Sequence, residues 1–354
     1  MTGPDTLKRR TLVASLWSFL RSGWNAVATF VLFAIMARLL KPSDFGVFAL
    51  ASILVELARI ISTAGLADAI VREPELSERF SNTVFWGITG LSLLASAAIF
   101  AGAPFYAELV GSSEITPIIR ALGLLLPIAL SATVPTALLT RTLQYRQMTT
   151  RGIVASLVGG VAAVGLALNG WGVWALVGQF GLTSLLASIL IWQISPWRPR
   201  MMFDPGLVRR LLVFSGSVMA TQILWMLLAR LQEIFISRWY GTDAVGQYRI
   251  AWRLIELVTQ TLLAPIGSVT LAAFSHLQTD PQRLQAVYVR MVGLAATAML
   301  PCLLGIGATA PLLMPLLFGY VTERGELILL VANLDQVAVP LHLANAAVAD
   351  ANFP

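Results

Sequence analysis

The chain has 354 residues, of which 57% are hydrophobic and only 12% charged, with a formal net charge of +6. A mean hydropathy of +0.78 leaves too few polar side chains to cover a soluble domain, which excludes a water-soluble globular enzyme. The basic residues form no stripe interleaved with stacking aromatics, so no nucleic acid is expected as a partner.

Apolar stretches of about 20 residues, long enough to cross about 30 Å of hydrocarbon, recur along the chain and predict an all-α polytopic membrane protein. They fall at 12–39, 44–68, 82–108, 115–140, 152–169, 172–194, 208–238, 244–275 and 286–314, with a weaker tenth within 326–349. The first is too long for the apolar core of a signal peptide and runs on without a cleavage site, so it is expected to be a permanent span. The segment at 195–206, "SPWRPRMMFDPG", holds Pro196, Pro199 and Pro205, which oppose helix continuation. It divides an N-terminal six-helix bundle, 1–195, from a C-terminal bundle, 207–319, with an atypical tail at 320–354. Trp171, Trp174, Trp192, Trp197, Trp239 and Tyr240 fall near span ends, as an interfacial aromatic belt would. Cys302 has no partner in the chain and is expected as a small core residue.

The connecting segments alternate in basic content. One set carries Lys8, Arg9 and Arg10; Arg72 and Arg79; Arg141, Arg146 and Arg151; Arg198, Arg200, Arg209 and Arg210; then Arg283. The other set holds only Arg38 and Lys41, Arg238 and Arg324. The positive-inside rule puts the N-terminus in the cytoplasm. Six spans precede the loop at 195–206, so the second half starts on the same side, and the halves form parallel repeats.

An internal repeat supports two pseudo-symmetric helical bundles. The segment "RLLKPSDFGVFALASILVEL" at 38–57 aligns without a gap on "RWYGTDAVGQYRIAWRLIEL" at 238–257. The register pairs Arg38 with Arg238, Gly46 with Gly246, Leu54 with Leu254 and Glu56 with Glu256. Each copy reads as a helix end, a polar turn and a second apolar helix carrying a glutamate.

These segments, together with "TLQYRQMTTRGIVASLVGGVAAVGLALNGWGVWALVGQ", resemble the polysaccharide-transporter (Wzx-like) flippases. That family belongs to the multidrug/oligosaccharidyl-lipid/polysaccharide exporter superfamily, and the resemblance covers 8–319. It implies movement of polyprenyl-diphosphate-linked oligosaccharide from the inner to the outer leaflet of the bacterial inner membrane, for surface polysaccharide assembly. It also implies a polysaccharide polymerase and chain-length machinery as partners, and no cofactor. Family members usually continue to about twelve or more spans, so the first six spans are expected complete and the second bundle truncated.

Ionisable residues inside spans mark the candidate site, because each costs about 2.5–3.5 kcal/mol at a helix centre and seldom faces lipid. They are Arg21, Glu56, Arg59, Arg230, Glu233, Arg249, Arg253 and Glu256. Arg249, Arg253 and Glu256 share one helix face, and Glu56–Arg59 and Arg230–Glu233 are each spaced for pairing. Arg21 has no acid within a turn and has Asn25 on its face. Five arginines against three glutamates predict a cationic cavity suited to a diphosphate, whose oxygens guanidinium forks bind. Arg21, Asn25, Arg59, Arg230, Arg249 and Arg253 are the expected substrate-binding residues, and Glu56, Glu233 and Glu256 the gating or coupling ones. Pro127, Pro135, Pro265 and Pro301 are candidate bends.

The sequence holds no nucleotide-binding, hydrolase or metal-binding signature, so neither catalysis nor a metal is expected. A cation-coupled multidrug extruder of the same superfamily is the rival reading, kept open by the three glutamates. A truncated remnant without transport activity is the third.

Overall fold

The computed structural model describes residues 30–318, apart from 64, 65, 67, 68, 71, 72, 74, 75, 143 and 278–280. Among the described residues the regular elements are helices: α1 (Phe30–Leu39), α2 (Pro42–Thr63), α3 (Glu78–Val110), α4 (Ile115–Ser131), α5 (Thr133–Arg141), α6 (Tyr145–Leu168), α7 (Val173–Ile194), α8 (Pro205–Leu277) and α9 (Pro281–Phe318). The protein is therefore an all-α membrane protein, as the hydropathy predicts. Six described segments are long and apolar enough to cross a membrane. Arg21, Asn25 and the tail with its doubtful tenth span lie outside the described residues.

The described residues gather into two compact units, one holding 30–32 with Leu39–Gly246 and the other Phe33–Arg38 with 247–318. The first unit is built around α2, which packs against α3, α4 and α7, while α6 packs on α7. α2 is the most buried of the described spans, as expected of a helix enclosed by others. Leu50 of α2 is fully buried, as are Leu66, Ile88, Ile115, Ile119 and Leu126 elsewhere in the core. By contrast Leu94, Phe105, Val161, Leu228 and Phe235 are exposed.

The start of α2 follows from local chemistry. Pro42 occupies the first helical position, where its missing N–H costs nothing. Asp44, at the third helical position, reaches back three residues to accept the Lys41 backbone N–H at 3.0 Å, half of a capping box. α3 starts on Ser77, whose hydroxyl accepts the Phe80 N–H at 3.1 Å. In α4, Pro127 cannot donate to the Gly123 carbonyl, and Ser96 of α3 fills that role, donating its hydroxyl at 2.8 Å. α4 and α5 then break at Ala132, whose N–H turns to Leu130. The Ile128 carbonyl accepts the hydroxyls of Ser131 and Ser188 instead.

The sequence repeat becomes a physical contact. α8 is interrupted at Gly241, with φ 84° and ψ 173°, a conformation open to glycine, so its second arm starts afresh as α2 does after Lys41. The two repeat copies cross there. Gly46 packs against the Thr242 carbonyl, and Gly246 packs against the Pro42 carbonyl. Pro42 and Thr242 are themselves matched in the repeat, so the contact is reciprocal.

Contacts within this unit also sort its loops into the two sets that the charge alternation separates. Asp44 lies beside Gly172 and Arg238 beside Gly111 at one end. At the other, Arg141 donates to the carbonyls of Ile70 and Glu73, and the 195–204 segment lies on the start of α3. That segment is fastened rather than a free linker. The Arg200 N–H donates to Asn82 at 2.6 Å, the Asp204 N–H to Thr83 at 3.2 Å, and Trp86 donates to the Arg200 carbonyl at 2.9 Å. Trp192 and Trp197 stack at 6.1 Å against the edge of Phe85 and help to hold the segment. Trp171, Trp174, Trp239 and Tyr240 are exposed, as the belt reading expects. Cys302 is exposed on α9 and is not the core residue expected.

Candidate functional site

The first arm of α8 carries Arg230 and Glu233 one turn apart, on one face. Arg230 Nη1 donates to Glu233 Oε1 at 2.9 Å, and its Nη2 donates to Glu56 Oε2 of α2 at 3.2 Å. The guanidinium fork thus bridges two carboxylates from two helices, with its side chain 23% exposed, Glu56 34% and Glu233 only 2%. Desolvating three charges is tolerable only when they satisfy one another this closely. Two negative groups against one positive leave the triad at −1.

The surrounding packing holds the triad in place. Tyr106 donates its hydroxyl to the Leu50 carbonyl at 3.1 Å, tying α3 to α2 two turns before Glu56. Ser237 donates to the Val110 carbonyl at 3.0 Å, tying α8 to the end of α3 one turn beyond Glu233. Both bonds are buried, so α2 and α8 reach the Glu56–Arg230 contact already aligned.

The pairing differs from the one that spacing suggests. Arg59 does not take Glu56: it is exposed and makes no ion pair among the described residues, and its carbonyl accepts the Thr63 hydroxyl. In the second unit Arg253 donates to Glu256 at 2.6 Å, as the i, i+3 spacing suggests, and both are half-buried. Arg249 is half-buried and engaged by a neighbouring group. The matched glutamates of the repeat therefore have different partners: Glu256 pairs within its own helix, while Glu56 pairs across to α8. No group of three metal-ligating side chains occurs among the described residues.

The helices around this ionic triad are long and apolar enough to cross a membrane, as in a multi-pass membrane protein. The chain belongs to the family described as "Polysaccharide biosynthesis protein", whose model matches residues 35–321. It is 28% identical over 89% of its length to the succinoglycan biosynthesis transport protein ExoT of Rhizobium meliloti, covering 64% of that protein. It is 22% identical over 84% of its length to the lipopolysaccharide biosynthesis protein WzxC of Escherichia coli, covering 62%. The chain thus spans somewhat less than two thirds of these relatives. Among solved structures it resembles the lipid II flippase MurJ in an inward closed conformation, with a TM-score of 0.67 and 12% identity, over 95% of this chain and 74% of that one. A multidrug resistance MATE family transporter in an inward-facing conformation aligns with a TM-score of 0.58 and 18% identity, over 91% and 78%. These two likenesses show that the chain shares the fold of those proteins.

Proposed function

We propose that this protein moves a polyprenyl-diphosphate-linked oligosaccharide from the inner to the outer leaflet of a bacterial inner membrane, with its N-terminus cytoplasmic. The observation that carries this reading is the Glu56–Arg230–Glu233 triad, set among spanning helices of a family whose relatives include a succinoglycan transport protein. Arg230 is the pivot. A diphosphate offers the same bidentate oxygen geometry as the two carboxylates and competes with them for the guanidinium. When Arg230 turns to the substrate, the bond between α2 and α8 is released, which couples loading to helix movement.

Arg59, on the same helix as Glu56, supplies a further donor to the head group, while Glu56 and Glu233 recapture Arg230 once substrate leaves. With the cell interior negative, outward movement of an anion is downhill by about 2.3 kcal/mol per charge per 100 mV. The polymerase that consumes exported repeat units is the natural partner.

The test is transbilayer movement of a fluorescent polyprenyl-diphosphate oligosaccharide in vesicles containing the protein. Wild type moves the lipid, and collapsing the potential slows it. Arg21→Ala abolishes movement, and Arg21→Lys restores part. Movement no faster than in protein-free vesicles overturns the reading.

The surplus carboxylate of the triad supports a second reading, a cation-coupled extruder of organic cations. Efflux of such a cation from the same vesicles, driven by a proton or sodium gradient and absent in Glu233→Gln, would favour it.

A further inference from the structure

A cleft of about 580 Å³ opens between α4, α5, α6 and α7, where the helix breaks at Ala132. Six hydroxyl side chains line it: Thr133, Thr136, Thr140, Thr183, Ser184 and Ser188. No charged and no aromatic side chain is among its described lining residues. The other lining is mostly small, including Ala129, Ala132, Gly152 and Ala187. Small residues at membrane helix contacts normally let backbones close together, and here they leave room.

The hydroxyls divide into two kinds. Thr136 and Thr140 donate to carbonyls four residues back, and Ser188 donates to the Ile128 carbonyl, so these three present only acceptor lone pairs. Thr133, Thr183 and Ser184 have no hydrogen-bond partner among the described residues and can both donate and accept. A wall of neutral donors and acceptors without charge suits neither an inorganic ion nor a diphosphate, and six hydroxyls waste an acyl chain. Its natural complement is a ligand that is uncharged and itself hydroxylated, and the volume lies in the range of small-molecule sites.

We infer that this cleft is the subsite for the sugar rings of the transported lipid, apart from the ionic triad that engages the diphosphate. The inference rests on the proposed flippase function and assigns its specificity to α4–α7. Thr133 and Ser184 contribute most, because their donors are uncommitted. Thr183 is wedged against Gly159, where a threonine-sized group already fills the space, so it is a poor position to alter.

The test compares two probes on the purified chain: undecaprenyl diphosphate, and the same lipid bearing one hexose. Wild type binds the sugar-bearing lipid about tenfold more tightly, the effect of two neutral hydrogen bonds. The double variant Thr133→Val, Ser184→Ala loses that preference while its affinity for the bare lipid changes less than twofold, which also shows that it folds. Ala187→Leu, which fills the cleft and leaves every hydroxyl in place, loses the preference too. A preference retained in both variants, or absent in wild type, overturns the cleft as the sugar subsite and leaves the flippase reading standing. Failure of wild type to bind either lipid overturns the flippase reading itself, and the sugar subsite falls with it.

Discussion

Gly46 and Gly246 stand 200 positions apart in the sequence and touch in space, each packed on the main chain that begins the other's helix. A Cβ on Gly46 would lie 3.0 Å from the Gly246 nitrogen and would overlap the Thr242 carbonyl outright. Backbone cannot swing aside as a long side chain can. Gly46→Ala and Gly246→Ala are each expected to destabilise by about 1–3 kcal/mol, the usual effect of overpacking. Gly90→Ala is the control, since nothing lies within 4 Å of that position. Thermal unfolding in detergent checks the pair: equal midpoints for Gly46→Ala and Gly90→Ala would mean that the crossing is looser than described.

Arg230 supports two carboxylates, so its loss costs more than one ion pair. Arg230→Ala takes the hydrogen-bonded guanidinium from Glu233, almost fully buried, and is expected to destabilise by about 3–5 kcal/mol. Adding Glu233→Gln to that variant removes the buried negative charge and recovers much of the loss. Arg59→Ala, at an exposed arginine without an ion pair, changes stability little. Thermal unfolding of the four proteins decides it, and an Arg230→Ala midpoint like that of Arg59→Ala would refute the triad's structural role.

What the sequence made legible follows what each pattern can encode. The spans were readable because hydrocarbon demands about 20 apolar residues whatever the fold. The turn before α2 and the break at Gly241 were both readable from the repeat, whose two copies each set a polar turn between apolar helices. The partner of Glu56 was not. Spacing tells which residues share a face of one helix, and so offered Arg59; it does not tell which faces of different helices meet, and Arg230 lies 174 positions away. The 195–206 segment read as a linker because its prolines oppose helix, yet proline says nothing of the polar side chains on α3 that grip it. The hydroxyl cleft left no sequence signal either, since alanine, glycine, serine and threonine also mark the tightest helix contacts.

The carbonyl of Gly123 makes a compensated defect that can be taken apart. Ser96→Ala removes its only described side-chain donor and is expected to cost about 0.5–1.5 kcal/mol. Pro127→Ala restores an N–H in the same helix to that carbonyl, so in the Ser96→Ala background it should recover stability. The same change in the wild-type background gains less, because the carbonyl is already satisfied. A double-mutant cycle by thermal unfolding measures the coupling, and additive effects would show that Ser96 and Pro127 act independently.

The grip on the 195–204 segment predicts a proteolysis pattern. Asn82 is 1% exposed, and its Oδ1 accepts the Arg200 N–H while its Nδ2 donates to the Glu78 carbonyl. The outer pair, Glu78 with Arg200, is 64% exposed on both sides and adds little by itself. Asn82→Ala should therefore loosen the segment, whereas Glu78→Gln should not. Trypsin reports the difference, because a protease needs several residues of chain to open before it cuts. Pro199 shields the bond after Arg198, leaving Arg200–Met201 as the cleavage site. Limited digestion is expected to split Asn82→Ala there at least several-fold faster than wild type, with Glu78→Gln close to wild type. Equal rates for Asn82→Ala and wild type would show that the stacked Trp192 and Trp197, rather than the buried amide, hold the segment in place.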